Sequence, residues 1–314
     1  MGLAFNSIDE LFATQLKNWD LAARNYDGLN GVLTREVEFE EGFSFKIQFN
    51  PERIRSSAAK VDADSIRKRS CFLCAENRPA EQKGISFNQN YQILLNPFPI
   101  FHRHLTIVDN SHREQLISGR YRDMLRLSDE LRDFVVFYNG PRCGASAPDH
   151  FHFQAGNRGF MPVEKDIYQT NKQILASTEG CSLFAMDNYL RKALLFTGSD
   201  LNALEACFSS VFSVLEDFIP SVPEPMMNVL VDKEGEEWRV VIFPRKNHRP
   251  AQFFATGYDQ LLLSPASVDF GGVLITPRKE DFEKLDNSLI RNIFKQVTVD
   301  DDVWNEIKER LVSS

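Results

Sequence analysis

The stretch Asp149-His150-Phe151-His152-Phe153-Gln154 constrains this chain more than any other. Successive side chains of a strand point to opposite faces. An extended run here therefore puts His150, His152 and Gln154 on one face and Phe151 and Phe153 on the other. The phenylalanines can anchor such a strand in a core while the polar row lines a cleft. Two imidazoles and an amide are an odd choice for packing alone, and they suit a nucleophile with a phosphate-binding neighbour. The plainer reading, histidines satisfied by local hydrogen bonds, fits His102 better than it fits this pair.

The 314 residues are 43% hydrophobic and 25% charged, which allows one large or two modest globular domains. A net charge of −8 argues against general nucleic-acid binding, which needs a basic face. It leaves room for a local basic pocket around a small anion. Cys71, Cys74, Cys143, Cys181 and Cys207 are odd in number and scattered, unlike a disulfide framework. Residues 1–6 show neither a basic nor an apolar leader region, and no apolar run approaches membrane-spanning length. The expectation is a cytoplasmic enzyme with no nucleic-acid or membrane partner.

Residues 7–27 have helical periodicity, and residues 35–50 alternate as a β-hairpin. Residues 51–70 read as a polar, basic surface connection. Strands at Tyr91–Leu95 and His104–Val108 flank the loop Asn96-Pro97-Phe98-Pro99. Ser111-His112-Arg113-Glu114 reads as a capping box that opens a helix to about Phe134, with His112 in its first turn. A strand at Val135–Tyr138 and a Gly/Pro-rich turn over 140–144 lead into a strand from His150 to Gln154. In the second half, Leu201–Phe218 reads as a helix, and Met227–Val231 with Trp238–Phe243 as a hairpin. That hairpin ends at Pro244-Arg245-Lys246-Asn247-His248, and the segment His104–His112 has the same plan of apolar strand, polar turn and histidine. A faded internal duplication accounts for this, with only the first half keeping the His-x-His-x-Gln row. The expected organisation is a helical segment over 1–33, a catalytic half over 34–170 and a degenerate half over 171–314.

The pair Cys71-x-x-Cys74 reads as a redox pair, as half of a metal site, or as chance. A structural zinc takes four ligands from cysteine and histidine, and His112 and His150 are the nearby candidates. A thioredoxin-like reading lacks its βαβ pattern. In the run Tyr138–Ser146, glycines such as Gly144 allow close approach of an anion, and successive N–H groups can cradle phosphate. Arg142 and Ser146 add donors; the alternative is an ordinary turn. Attack by His152 on an α-phosphate would give a covalent nucleotidyl-histidine. Gln154 and the 144–146 backbone would stabilise the phosphoryl charge. A glutamine amide cannot act as a general acid, which favours transfer to phosphate or a sugar phosphate over hydrolysis.

These motifs together resemble the histidine-triad superfamily, in its galactose-1-phosphate uridylyltransferase and nucleotide-phosphorylase branch. The run from Asn139 through Gly144-Ala145-Ser146 to His150-Phe151-His152-Phe153-Gln154 carries the likeness. So do Cys71–Cys74, Asn96-Pro97-Phe98-Pro99 and His104–His112, and more loosely residues 270–282, which resemble the GDP-hexose phosphorylases. The resemblance implies an α+β fold with antiparallel sheets, flanking helices and two related halves. It implies His152 as nucleophile, Gln154 on the transferred phosphate, and Asn96 and Asn139 against the nucleotide. It also implies a structural Zn2+ on Cys71, Cys74, His112 and His150. The implied substrate is a nucleotide or nucleotide sugar, with phosphate or a sugar phosphate as acceptor, and a homodimer is compatible with it. Phe151 stands where the uridylyltransferases have proline, while the phosphorylases generally lack the CxxC pair. This mosaic leaves a nucleoside diphosphate sugar or a dinucleoside polyphosphate as substrate. Rival readings are a zinc-stabilised nucleotide sensor without turnover, and a metal hydrolase using His102, His104, His150 and His152.

Overall fold

The computed structural model describes residues 5–54, 63–219 and 221–313. The expected helical start forms two helices, α1 (Phe5–Asn18) and α2 (Asp20–Gly28). The expected hairpin forms β1 (Leu33–Glu38) and β2 (Ser44–Phe49), paired antiparallel. Of the connection expected over 51–70, residues 55–62 lie outside the described residues.

Ten strands then build one antiparallel sheet. In chain order they are β3 (Gly84–Phe87), β4 (Tyr91–Leu95), β5 (His104–Asp109), β6 (Phe134–Asn139), β7 (His152–Asn157), β8 (Lys172–Thr178), β9 (Cys181–Met186), β10 (Leu194–Gly198), β11 (Met227–Glu234) and β12 (Glu237–Pro244). Their spatial order is β3-β4-β5-β7-β6-β11-β12-β10-β9-β8. Helices α3 (Tyr121–Glu130) and α4 (Leu201–Phe218) precede β6 and β11. The sequence β3, β4, β5, α3, β6, β7 therefore recurs as β8, β9, β10, α4, β11, β12, and the sheet order is palindromic about the β6–β11 pair. The duplication is present in the topology, but its register corrects the expected one. The counterpart of β12 is β7, and the counterpart of β5 is β10, so the segment ending in His248 is not the partner of His104–His112. The connection between β6 and β7 spans residues 140–151, whereas β11 and β12 close tightly between Glu234 and Glu237 with Gly235 at φ +58°.

Each sheet face carries its own core. Phe151, Phe153, Ile107, Val136 and Val229 join α1–α4 and a last helix, α6 (Asp301–Val312), on one face. On the other, Phe137, Val135, Leu230 and Phe243 pack with Phe45, Phe270 and the apolar side of α5 (Asn287–Val297). That second layer contains a small sheet in which β13 (Val273–Thr276) runs parallel to β2. Phe151 and Phe153 are fully buried, each burial favouring the fold by roughly 1.5–3 kcal/mol.

Two local expectations fail for one reason. The helix begins at Tyr121, not near Ser111, because residues 112–117 form an irregular segment bonded to 148–152. Arg113 O accepts from Phe151 N (2.6 Å), and Gln115 N donates to Pro148 O (3.1 Å). Ser111 N is taken by Asp109 Oδ1 (2.8 Å), so no capping box forms. The same pairing keeps His150 off the strand, which starts only at His152. No helix among the described residues is long and apolar enough to cross a membrane.

Candidate active site

His152 and Gln154 lie on the second face of β7, opposite Val108 and Thr106 of β5. His152 is almost completely buried. Its Nδ1 stands 2.9 Å from the His150 carbonyl. A carbonyl only accepts, so the proton sits on Nδ1 and the Nε2 lone pair is left for chemistry. Burial pushes the imidazole down to about 4. Gln115, wholly buried, clamps the same residue through its backbone: its Nε2 donates to His152 O (2.9 Å) and Asn139 O (3.1 Å), and its Oε1 accepts from His152 N (2.8 Å).

A second chain of hydrogen bonds orients Gln154. Ile100 N donates to His104 Nδ1 (3.2 Å), which places the His104 proton on Nε2. That Nε2 lies 3.0 Å from Gln154 Oε1, so the Gln154 carbonyl is occupied and its amide N–H groups remain for a ligand. Burial, reinforced by the Arg53 charge, pushes His104 down to about 3. With both nitrogens engaged and His102 exposed, the His-x-His metal-hydrolase arrangement is not formed.

Cys71, Cys74, His112 and His150 converge, their donor atoms all within 4.8 Å of one another. Nδ1 of His150 is 3.3 Å from Cys71 Sγ and 3.5 Å from Cys74 Sγ, and Nδ1 of His112 is 3.2 Å from Cys74 Sγ. Zinc–ligand bonds of about 2.0–2.3 Å give tetrahedral edges of roughly 3.3–3.8 Å, so two thiols and two imidazoles at these separations fit that ion. Outer partners are also in place. His150 Nε2 donates to Asp109 O (2.8 Å), and His112 Nε2 faces Asp149 Oδ2 at 3.9 Å, with Asp149 held by Arg69 (2.9 Å).

The remaining candidates fall along the seam between the two halves or beside the row. Asn96 donates to Thr106 Oγ1 (3.0 Å) and accepts from Phe98 N (2.9 Å), shaping its own turn. Asn139 Oδ1 accepts from Asn228 Nδ2 (2.9 Å) and Ser267 N (2.8 Å), binding the first half to the second. Gly144 has φ +97°, and a Cβ there would lie 2.5 Å from Ala266 Cβ, so packing between the halves also demands glycine. Ser146 is half-buried, with its carbonyl 3.4 Å from Arg69, and Arg142 is exposed.

Sequence reasoning missed Gln115, because it lay inside the supposed helix, and the orienting role of His104. It also missed Asn228 and Arg245. Arg245 is fully buried and donates to Asn228 Oδ1 (2.6 Å), Pro265 O, Asn247 O and His248 O. The available signal was an asparagine inside the apolar run Met226-Met227-Asn228-Val229-Leu230 and an arginine directly after β12.

Comparison with known proteins agrees with this architecture. Residues 11–157 match a family described as a domain of unknown function (DUF4922), and residues 162–314 match the GDPGP1-like, C-terminal domain. No curated protein matches the chain by sequence. The crystal structure of yeast Ap4A phosphorylase Apa2 superposes with a TM-score of 0.62 at 18% identity, covering 89% of this chain and 96% of that one. Its complex with AMP gives 0.56 at 17% identity, covering 90% and 96%. A uridylyltransferase mutant gives 0.42 at 10% identity, covering 90% and 99%. Residues 162–314 thus match the GDPGP1-like C-terminal domain family, and the chain shares the fold of yeast Ap4A phosphorylase over 89% of its length.

Proposed function

We propose that this protein is a nucleotidyltransferase or phosphorylase that cleaves a nucleoside diphosphate sugar at its α-phosphate through a nucleotidyl-His152 intermediate. The observation that carries the reading is the pair of orienting chains: His150 O on His152 Nδ1, and Ile100–His104 on Gln154 Oε1. They leave one imidazole lone pair and one amide donor on the same strand face, as in-line attack requires. His152 Nε2 bonds to the α-phosphorus as the bond to the distal phosphate oxygen breaks, and the distal part leaves as a phosphorylated product. Gln154 donates to the phosphoryl oxygens. Phosphate or a sugar phosphate then attacks the α-phosphorus and frees His152.

Asn96, Asn139, Arg142, Gly144 and Ser146 are assigned to the substrate. Cys71, Cys74, His112 and His150 are assigned to a Zn2+ ion. When bound, that ion supplies a crosslink between the 71–74 turn and the 109–112 and 147–150 segments. The carbonyl of His150 is the one that orients His152, so the closed site stands one residue removed from the chemistry. Scattered free thiols accord with a cytoplasmic setting.

A second reading, a dinucleoside polyphosphate phosphorylase, has its own support in the fold match to the yeast Ap4A phosphorylase. A panel of nucleoside diphosphate sugars and dinucleoside polyphosphates, incubated with inorganic phosphate and resolved by ion-exchange chromatography, separates the two. Phosphate-dependent release of a sugar phosphate is expected; release of ADP and ATP instead would transfer the assignment to the second reading.

A further inference from the structure

The seam beside the histidine row is a hydrogen-bond chain with a fixed direction at every link. In the register of β6 with β7, Phe137 faces Gln154, so Asn139 comes level with His152 one rung further on. Gln115 bridges that rung: its Nε2 donates to the carbonyls of both residues, and its Oε1 accepts from His152 N. On its other side Asn139 pairs with Asn228 of β11. Side chains two apart on a strand share a face. His152, Asn139 and Asn228 therefore stand in one row, on the face that carries Gln154, Phe137 and Leu230.

Arg245 is fully buried beyond the row, and its Nη1 donates to Asn228 Oδ1 (2.6 Å). A guanidinium only donates, so this contact fixes which end of the Asn228 amide is oxygen. The Asn228 nitrogen is thereby turned to the first half, where it donates to Asn139 Oδ1 (2.9 Å) and Cys143 O (2.8 Å). Ser267 N, a backbone donor, reaches the same Asn139 oxygen (2.8 Å). Two donors on Oδ1 fix the Asn139 amide in turn. Its Nδ2 has no hydrogen-bond partner among the described residues, and it is not one of the polar atoms sealed from solvent. The two heads of a planar amide diverge. An oxygen directed at β11 leaves the nitrogen facing β7, where His152 and Gln154 lie.

We propose that Arg245 and Asn228, both from the half without a nucleophile, are positioning residues that hold the Asn139 amide as a second phosphate donor beside Gln154. This rests on the nucleotidyl-transfer reading above and deepens it. Gln154 is oriented from within the first half by His104, and Asn139 from the second half by Arg245 through Asn228. Direction matters as much as contact, because an Asn139 amide turned the other way would present its oxygen to the phosphoryl oxygens and repel them.

A double-substitution cycle on the full-length protein tests the chain. It is read as the single-turnover rate of covalent labelling, with GDP-glucose, UDP-glucose and diadenosine tetraphosphate offered in turn. Asn139→Ala is expected to slow labelling roughly 100-fold. Asn228→Asp keeps its shape and still accepts from Arg245, but a carboxylate cannot donate to Asn139. Labelling of that protein is expected to slow by roughly tenfold or more. The double variant is expected to be no slower than Asn139→Ala alone, because Asn228 acts through Asn139. Multiplication of the two factors, to roughly 1000-fold, would assign Asn228 to general packing and overturn the proposal. Labelling of Asn228→Asp at the wild-type rate would overturn it too. Asn228→Ala enters the same cycle if thermal unfolding shows that the Asp protein does not fold. Failure of wild type to take label from any probe overturns the nucleotidyl-His152 reading instead. The cycle is then run on equilibrium binding of GMP, UMP and AMP, which needs only a phosphate beside Asn139. Each single variant is expected to bind roughly tenfold more weakly, and the double variant no more weakly than Asn139→Ala. Wild-type affinity in the Asn228 variant, or binding of none of the three by wild type, overturns the positioning role.

Discussion

At the scale of single residues, what distinguishes the site is how many groups are committed to fixing two. His152 has its Nδ1, N–H and carbonyl all engaged, by His150 and Gln115. Gln154 has its carbonyl engaged by His104. His104→Leu should therefore leave a folded protein whose turnover falls on the order of 100-fold, because the Gln154 amide is free to rotate away from the phosphoryl oxygens. Steady-state kinetics beside a circular dichroism spectrum checks this, and unimpaired turnover would show that Gln154 needs no orienting partner. The nucleophile candidate and its glutamine were legible because strand alternation depends only on parity. His104 was visible as a histidine but not as an orienting group, because its partner is 50 residues away and its tautomer depends on Ile100 N.

At the scale of elements, the site depends on irregular segments held between regular ones. The 71–74 turn, residues 109–112 and residues 147–150 meet at the cysteine–histidine cluster and its outer partners. Purified protein is expected to contain one zinc per chain. Cys71→Ser should lose it and reduce turnover by disturbing the His150 carbonyl. Inductively coupled plasma mass spectrometry on both proteins tests this, and full zinc content in Cys71→Ser would remove the cluster as the metal site. The four ligands could be proposed from residue type. The irregular path of 112–117 could not, since Ser-x-x-Glu satisfies a capping box locally and only pairing with 148–152 overrides it. Strand β8 was silent for a related reason: it is an edge strand with mostly exposed side chains, so its alternation is weak.

At the scale of the whole molecule, two half-domains share one sheet, and their seam is polar and buried: Asn139, Asn228, Arg245, Ser267 and Asp269. Buried titratable groups there and at the site pull stability in opposite directions with pH. His104, at about 3 in the fold against 6.5 ordinarily, adds stability that is complete above 6.5 and is lost as pH falls toward 3. Asp269, raised by burial to about 7 from 3.8, adds stability that is complete below 3.8 and is lost as pH rises through 7. Urea unfolding from about pH 4.5 to 8 should show the advantage of wild type over His104→Leu shrinking toward acid, and that over Asp269→Asn shrinking toward base. Parallel profiles would mean that neither group titrates abnormally. The repeat was detectable in the sequence, but its register was not, because β7 and β12 share an outline and no motif. The covalent step at His152 is tested by intact-protein mass spectrometry after brief incubation with a nucleoside diphosphate sugar, without phosphate. Wild type is expected to show an acid-labile gain of one nucleoside monophosphate, absent from a folded His152→Ala protein; the same gain in both, or phosphate-dependent turnover by His152→Ala, would rule out a nucleotidyl-His152 intermediate.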